Sequence, residues 1–429
     1  MTQGPKEPQE SGAIRSGWVW APLVVAVVLR VLVVVFIQLY HGSFLFLDDH
    51  GYDTIGAKLA SAWHLGRFPD PSSISFAGSV TYGYFVWVGA LYYAFGRHWL
   101  VVKLVGALLS ALSVLPAASI GEELGGERLA RKSAWLVALY PSAVFWGATG
   151  LKDAPLAALF LAAIALGLKP PAPRRLVAQI VLTGIAFTMR PLLGVACVMT
   201  MVVPVSQGLR SRRRAPSRRR GVRALTLAGL ALLGCLILPT LARDLSLLAH
   251  AQSAAETQMF PQGSVLAGSR PALSAPIVAL LGPFPWAFDQ RSHSVYMSLY
   301  PGMVVWILLL PGSALGVWLL LRRGSAAARG VIVASLAFLL MYLGYFGDEG
   351  FYRQRIALEL VLMIVALCAF QARGERAATL TAAWLVVLGP AILVQTGTWS
   401  VMAAVIFLAA ALAALVVEGW IRRLAMHTG

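Results

Sequence analysis

The stretch FLFLDDHGYDTIGAKLASAW, Phe44–Trp63, follows directly on the first long apolar run of the chain and sets two neighbouring carboxylates, Asp48 and Asp49, where that run ends. From Tyr52 onward, apolar or small residues recur at Ile55, Gly56, Leu59, Ala60 and Trp63, the spacing of one face of an amphipathic helix. A chain that leaves a bilayer and then lays such a helix along its surface would read this way. The remaining sequence has to support the bilayer.

It does so by composition. Of 429 residues, 59% are hydrophobic and 12% charged, and the mean hydropathy is +0.75. Soluble domains carry about twice that charged fraction. The chain is therefore expected to be an all-α polytopic membrane protein. The first seventeen residues are polar, and the apolar run from Trp18 is long enough to span, so a cleavable leader is not expected. Cys197, Cys235 and Cys368 all fall in apolar runs and read as small core residues, not a disulfide framework.

About twelve spans (11–13) are predicted: Trp18–Tyr40, Trp99–Ile120, Ser133–Thr149, Ala154–Leu168, Leu176–Met189, Pro191–Gly208, Ala224–Leu241, Pro301–Leu321, Val331–Phe346, Ile356–Phe370, Ala377–Val394 and Ser400–Trp420. With a cytoplasmic N-terminus, every alternate loop is basic: GGERLARK, KPPAPRR, RSRRRAPSRRR, LRRG, ARGER and the terminal IRRL. More than half of all Lys and Arg gather there, as the positive-inside rule requires. The net charge of +17 is thus a membrane anchor, and the arginine run Arg210–Arg223 needs no nucleic-acid partner. The expected organisation is a cytoplasmic tail (1–17), one transmembrane domain (18–421) with outer loops at 41–98 and 242–300, and a cytoplasmic tail (422–429). The segment Tyr82–Gly96 is read as a second interfacial helix, because making it a span would turn every later basic loop outward.

The outer face, by contrast, mixes signs. Asp48 and Asp49 are candidates for a catalytic base, since repulsion between adjacent carboxylates raises at least one pKa towards neutrality. The plainer alternative is that Asp49 caps the following helix. With His50, the pair also has the donor types to hold a divalent cation. Lys152 and Asp153 lie in a turn between two spans, where Asp153 caps the next helix or Lys152 meets a lipid phosphate. Arg353 and Arg355 suit phosphate, which a guanidinium grips with two parallel hydrogen bonds; the alternative is helical ion pairing with Glu349 and Glu359. Arg190 is a similar candidate. Arg30 and Lys103 are ionisable groups inside predicted spans and default to function or snorkelling.

The acidic pair followed by Tyr52 resembles the D-[DE]-x-x-Y signature in the first loop of GT-C glycosyltransferases, in the branch of protein O-mannosyltransferases and lipid A aminoarabinose transferases. The stretches YPSAVFWGATGLKD (Tyr140–Asp153) and RQRIALEL (Arg353–Leu360) resemble further blocks of its bacterial members. Ala357 and Leu360 stand where such relatives often have proline, and His50 where small residues are common. The resemblance implies an inverting transfer of a sugar from a polyprenyl-phosphate donor to an acceptor hydroxyl on a lipid, glycan or protein. It implies an outer-face site in a cell inner or plasma membrane, with no cofactor beyond a possible divalent metal. Asp48 would be the base, Asp49 would position it or bind metal at Asp49 and His50, and Tyr52, Lys152, Asp153, Arg190, Arg353 and Arg355 would bind lipid phosphate and sugar. A lipid-linked polysaccharide polymerase or ligase shares that donor. A twelve-helix secondary transporter would instead place its ionisable groups near the midplane.

Overall fold

The computed structural model describes residues 17–69, 82–169, 172–210, 300–342 and 354–396. The predicted spans Ala224–Leu241 and Ser400–Trp420, the loop 242–299 and Arg353 lie outside the described residues. Among the described residues twelve helices appear: α1 Trp20–Tyr40, α2 Leu47–His64, α3 Tyr82–Phe95, α4 Trp99–Ala111, α5 Val114–Leu139, α6 Pro141–Ala148, α7 Asp153–Leu168, α8 Pro173–Met189, α9 Pro191–Arg210, α10 Tyr300–Arg323, α11 Ala326–Tyr342 and α12 Ile356–Thr396. Among the described residues, four helical stretches are long and apolar enough to cross a membrane: Trp20–Tyr40, Trp99–Leu139, Pro301–Arg323 and Ile356–Leu385.

The predicted spans Trp99–Ile120 and Ser133–Thr149 are recovered as a hairpin. α5 is broken at Gly125 and Gly126, the latter at φ +76°, a left-handed conformation that glycine alone adopts without cost. The chain folds back there so closely that a Cβ on Gly121 would lie 2.9 Å from the Ala130 Cα. A second break at Arg373 (φ −149°, ψ 52°) divides α12 where the sequence places the loop between Ile356–Phe370 and Ala377–Val394.

α10 and the first half of α12 run parallel. Ser313 Oγ donates to the Leu362 carbonyl (2.9 Å), and further along Arg323 reaches Cys368 Sγ (3.6 Å). At that end Arg323 also donates to Leu124 O (3.2 Å) and Gln371 to Gly125 O (3.1 Å), while Arg131 lies 5.6 Å over the Trp18 ring. Lys169 and Arg175 lie within electrostatic reach of Glu123. The basic stretches at 125–132, 172–175, 322–324 and 373–376, with Lys169, therefore share one rim of the bundle, as the charge alternation predicts.

Arg30 answers the choice between function and snorkelling with neither. It is fully buried and donates to Ser110 Oγ (3.1 Å), Ala26 O (3.1 Å), Val137 O (3.2 Å) and Ala138 O (3.4 Å). Pro141 has no N–H to offer the Val137 carbonyl, so the last turn of α5 is left with unpaired acceptors. The guanidinium fills that vacancy and places its charge at the negative end of the helix dipole. Arg30→Ala strands two buried carbonyls, at about 1–3 kcal/mol each. The expected result is a clearly lowered melting temperature in detergent, of which Arg30→Lys recovers part.

Candidate active site

The opposite rim gathers the end of α1, all of α2 and α3, and the starts of α4, α7, α10 and α12. α2 buries Tyr52, Gly56, Leu59 and Ala60 and exposes His50, Thr54, Lys58 and Ser61, the amphipathic face read from the sequence. It packs tightly on α3: a Cβ on Gly56 would lie 2.5 Å from Val88 Cγ1, and one on Gly89 would lie 2.9 Å from Leu59 Cβ. The buried Asp53 carboxylate fastens the pair, accepting from Tyr92 Oη (2.5 Å) and ion-paired to Arg97 (2.5 Å).

Asp49 is also a cap, with a register the sequence did not suggest. α2 starts at Leu47 with Phe46 as N-cap, which puts Asp49 in the third helical position. Its Oδ2 accepts from Leu45 N (2.9 Å) and Phe46 N (3.1 Å). This is the returning half of a capping box, without the forward half that a Ser or Thr at position 46 would supply. Oδ1 is buried with no hydrogen-bond partner. Burial raises the Asp49 pKa from the ordinary 3.8 to about 6, against the pull of two backbone N–H groups and the Lys103 ammonium; Asp48 adds a further push upward. Asp48 itself is half-buried.

Around this pair the structure brings together the cations of the neighbouring turns. Lys103 on α4 is buried and donates to Gly42 O (3.2 Å) and Gln38 Oε1 (3.4 Å). Lys152 is buried, with Nζ 5.5 Å from the centre of the Tyr52 ring. Tyr52 meets Tyr84 edge-on at 4.7 Å, and the Tyr84 hydroxyl donates to Gly150 O in the turn that carries Lys152. Asp153 begins α7, and its buried carboxylate is ion-paired with Arg190 (2.8 Å). Part of the Arg190 guanidinium is thereby committed to the protein.

Arg355, at the head of α12, is the second pole of the site. The expected helical ion pair is present, Arg355 Nε to Glu359 Oε1 at 2.6 Å with both groups buried. The guanidinium carbon lies 5.3 Å over the Trp306 ring. Glu359 Oε2 accepts from Tyr140 Oη (2.6 Å), and that hydroxyl also lies 3.3 Å from Gly302 O. Tyr140, Trp306 and Glu359 are the site-forming residues that sequence reasoning passed over. Only the four-residue spacing to Arg355 marked one of them in advance.

No group of three or more His, Cys, Asp or Glu side chains able to hold a metal ion occurs among the described residues. The His50 ring lies against Phe44 at 4.2 Å, and Asp49 spends one oxygen on backbone N–H groups. The proposed Asp49 and His50 pair thus lacks a third donor among the described residues. An apolar groove of about 510 Å³, lined by Leu29, Val33, Ile37, Leu139, Val144 and Phe145 among others, climbs between α1 and the α5–α6 junction to His41 and Leu45 at this rim.

No family model and no curated protein matches the sequence. Solved structures do. ArnT from Cupriavidus metallidurans, bound to undecaprenyl phosphate, superposes with a TM-score of 0.52 at 16% identity over 96% of this chain and 73% of that one. Its apo state gives 0.52 at 17% identity with the same coverage. The archaeal oligosaccharyltransferase AglB from Archaeoglobus fulgidus, in complex with an inhibitory peptide and a dolichol-phosphate, gives 0.46 at 14% identity and covers 95% of this chain. The chain spans only 56% of the length of AglB. The likeness to ArnT shows that this chain shares its helical fold.

Proposed function

We propose that the chain is an integral-membrane inverting glycosyltransferase, moving a sugar from a polyprenyl-phosphate donor to an acceptor hydroxyl at the outer face of the membrane. One observation carries the reading: the acid pair at the head of α2, the buried cations Lys152 and Arg355 and the half-buried Arg190 share the rim opposite the described basic loops. Phosphate is a good leaving group and needs cations to meet its developing charge, not a general acid. An acceptor hydroxyl needs one carboxylate on the far side of the sugar to take its proton.

Asp48 is the base in this reading because it keeps partial access, whereas Asp49 is enclosed and fixes the start of α2. Lys152, Arg355 and Arg353 hold the phosphate, and Arg190 positions the α7 turn through Asp153. The undecaprenyl phosphate bound by ArnT is a lipid of the donor class invoked, and the apolar groove gives a prenyl tail a path to the same rim. A transporter would set its ionisable groups at the midplane of broken helices; Arg30, fully buried within α1, is occupied as a helix cap.

The test uses the purified full chain in lipid nanodiscs with a polyprenyl-phosphate-linked sugar of defined anomer. Transfer to a hydroxyl acceptor with inverted anomeric configuration supports the proposal. A retained anomer, or movement of the lipid-linked sugar across vesicles without transfer, overturns it.

A further inference from the structure

A second groove lies at the basic rim, at the far end of the bundle from the acid pair. It holds about 380 Å³ between the last turns of α10 and the part of α12 beyond its break at Arg373, lined by Leu315, Trp318, Arg376, Thr379 and Leu380. Against the first half of α12, α10 leaves no such space: a Cβ on Gly312 would lie 2.7 Å from Phe370 Cε2. Both walls belong to stretches apolar enough to cross a membrane, Pro301–Arg323 and Ile356–Leu385. Trp318 and Leu380 nevertheless stay exposed, at 41% and 45%. In a bilayer, apolar surface of this kind meets lipid chains.

The mouth of the groove is cationic. Arg322, one turn on from Trp318, places its guanidinium carbon 4.1 Å over the indole ring. Stacking holds the planar group by its face and leaves its N–H edges for a phosphate. Arg376 comes from the other helix. Both arginines are exposed, and neither joins an ion pair among the described residues. Arg323, between them in the same rim, is already engaged with Leu124 O and Cys368 Sγ. Thr379 donates to Glu375 O (2.9 Å), so its hydroxyl proton is spent and the arginines must hold an anion. Glu375 is exposed beside Arg376 but does not line the groove.

An apolar wall ending in two cations from different helices is complementary to an amphiphile with an acyl tail and an anionic head. A membrane supplies that chemistry as anionic phospholipid. A free phosphate gains nothing from Trp318 and Leu380, and a zwitterionic headgroup brings an ammonium that two arginines disfavour. We propose that this groove binds one anionic phospholipid from the leaflet at the basic rim. Its phosphate lies between Arg322 and Arg376, and an acyl chain runs along Trp318, Leu315 and Leu380. A lipid so held clasps α10 to the second half of α12. The site is remote from the acid pair and stands independently of the transferase reading.

Native mass spectrometry of the purified full chain tests this, after delipidation in detergent and titration with phosphatidylglycerol or phosphatidylcholine of identical acyl chains. The parent is expected to hold one phosphatidylglycerol about tenfold more tightly than phosphatidylcholine. Arg322→Gln combined with Arg376→Gln should weaken phosphatidylglycerol by about tenfold or more, the effect of removing two basic groups from an anionic headgroup. Both side chains are exposed, so the exchange spares the packing of the bundle. Arg174→Gln combined with Arg329→Gln removes the same charge from two exposed positions outside the groove, and should bind like the parent. Leu380→Trp fills the groove while keeping both arginines, and should weaken the same lipid several-fold.

Equal losses in the two double variants, or parental binding in Leu380→Trp, would mean that the lipid answers to net charge alone, and would overturn the site. Tighter retention of undecaprenyl phosphate than of phosphatidylglycerol, lost in the same groove variants, would overturn the choice of occupant.

Discussion

Asp48→Asn is expected to lower sugar transfer by about 10²- to 10⁴-fold, the usual contribution of a general base, while the KM for the lipid-linked donor changes little. The asparagine fits the same space and keeps a hydrogen-bonding group, but cannot take a proton from the acceptor hydroxyl. The donor phosphate is held in this account by Lys152 and Arg355, from other helices, and those are untouched. Asp48→Glu should retain part of the rate, because the function survives while its reach changes. Steady-state kinetics with donor and acceptor varied separately distinguish this from a folding defect. An Asn variant at full rate would move the base elsewhere, with Asp49 the first alternative.

The second large effect is expected at Arg355 and Glu359, and it separates folding from function. Both are buried, and each neutralises the other. Removing one partner leaves an uncompensated charge in a low-dielectric interior, at about 3–5 kcal/mol. Glu359→Ala and Arg355→Ala should therefore each unfold or fail to accumulate. Replacing both by methionine removes the charges together, and such exchanges are often neutral. The double variant should recover most of the thermal stability and still transfer poorly, because the guanidinium proposed to hold the phosphate is gone. Arg355→Lys keeps the charge but loses the fork, and should raise the donor KM. A double variant with parental activity would make the pair purely structural.

Helix positions were legible in the sequence because apolar length and period 3.6 are local properties. Trp18–Tyr40, Ala154–Leu168, Pro191–Gly208 and Pro301–Leu321 all correspond to helices whose ends differ by a few residues. The burial of α2 at Tyr52, Gly56, Leu59 and Ala60 was equally readable. The start of α2 was not. The apolar run before Asp48 looks like the tail of a span, and hides the fact that Leu47 and Asp48 are already helical. Asp49 then reaches back to Phe46 instead of forward. The partners of the buried charges were out of reach for a different reason. Arg30 bonds to carbonyls more than a hundred positions away, Arg190 to Asp153, and Tyr140 to Glu359, 219 positions apart. No periodicity records such pairings; they exist only once the helices are packed.

The proposed transfer requires the acid pair and the cations proposed to hold phosphate to face one compartment while the basic loops face the other. Single cysteines at His50, Gln354, Arg128 and Glu375, in a background with Cys197, Cys235 and Cys368 replaced, can be challenged with a membrane-impermeant maleimide in oriented vesicles. Positions 50 and 354 are expected to react from the outer side alone, and positions 128 and 375 from the cytoplasmic side alone. Labelling of positions 50 and 354 from opposite sides would contradict it.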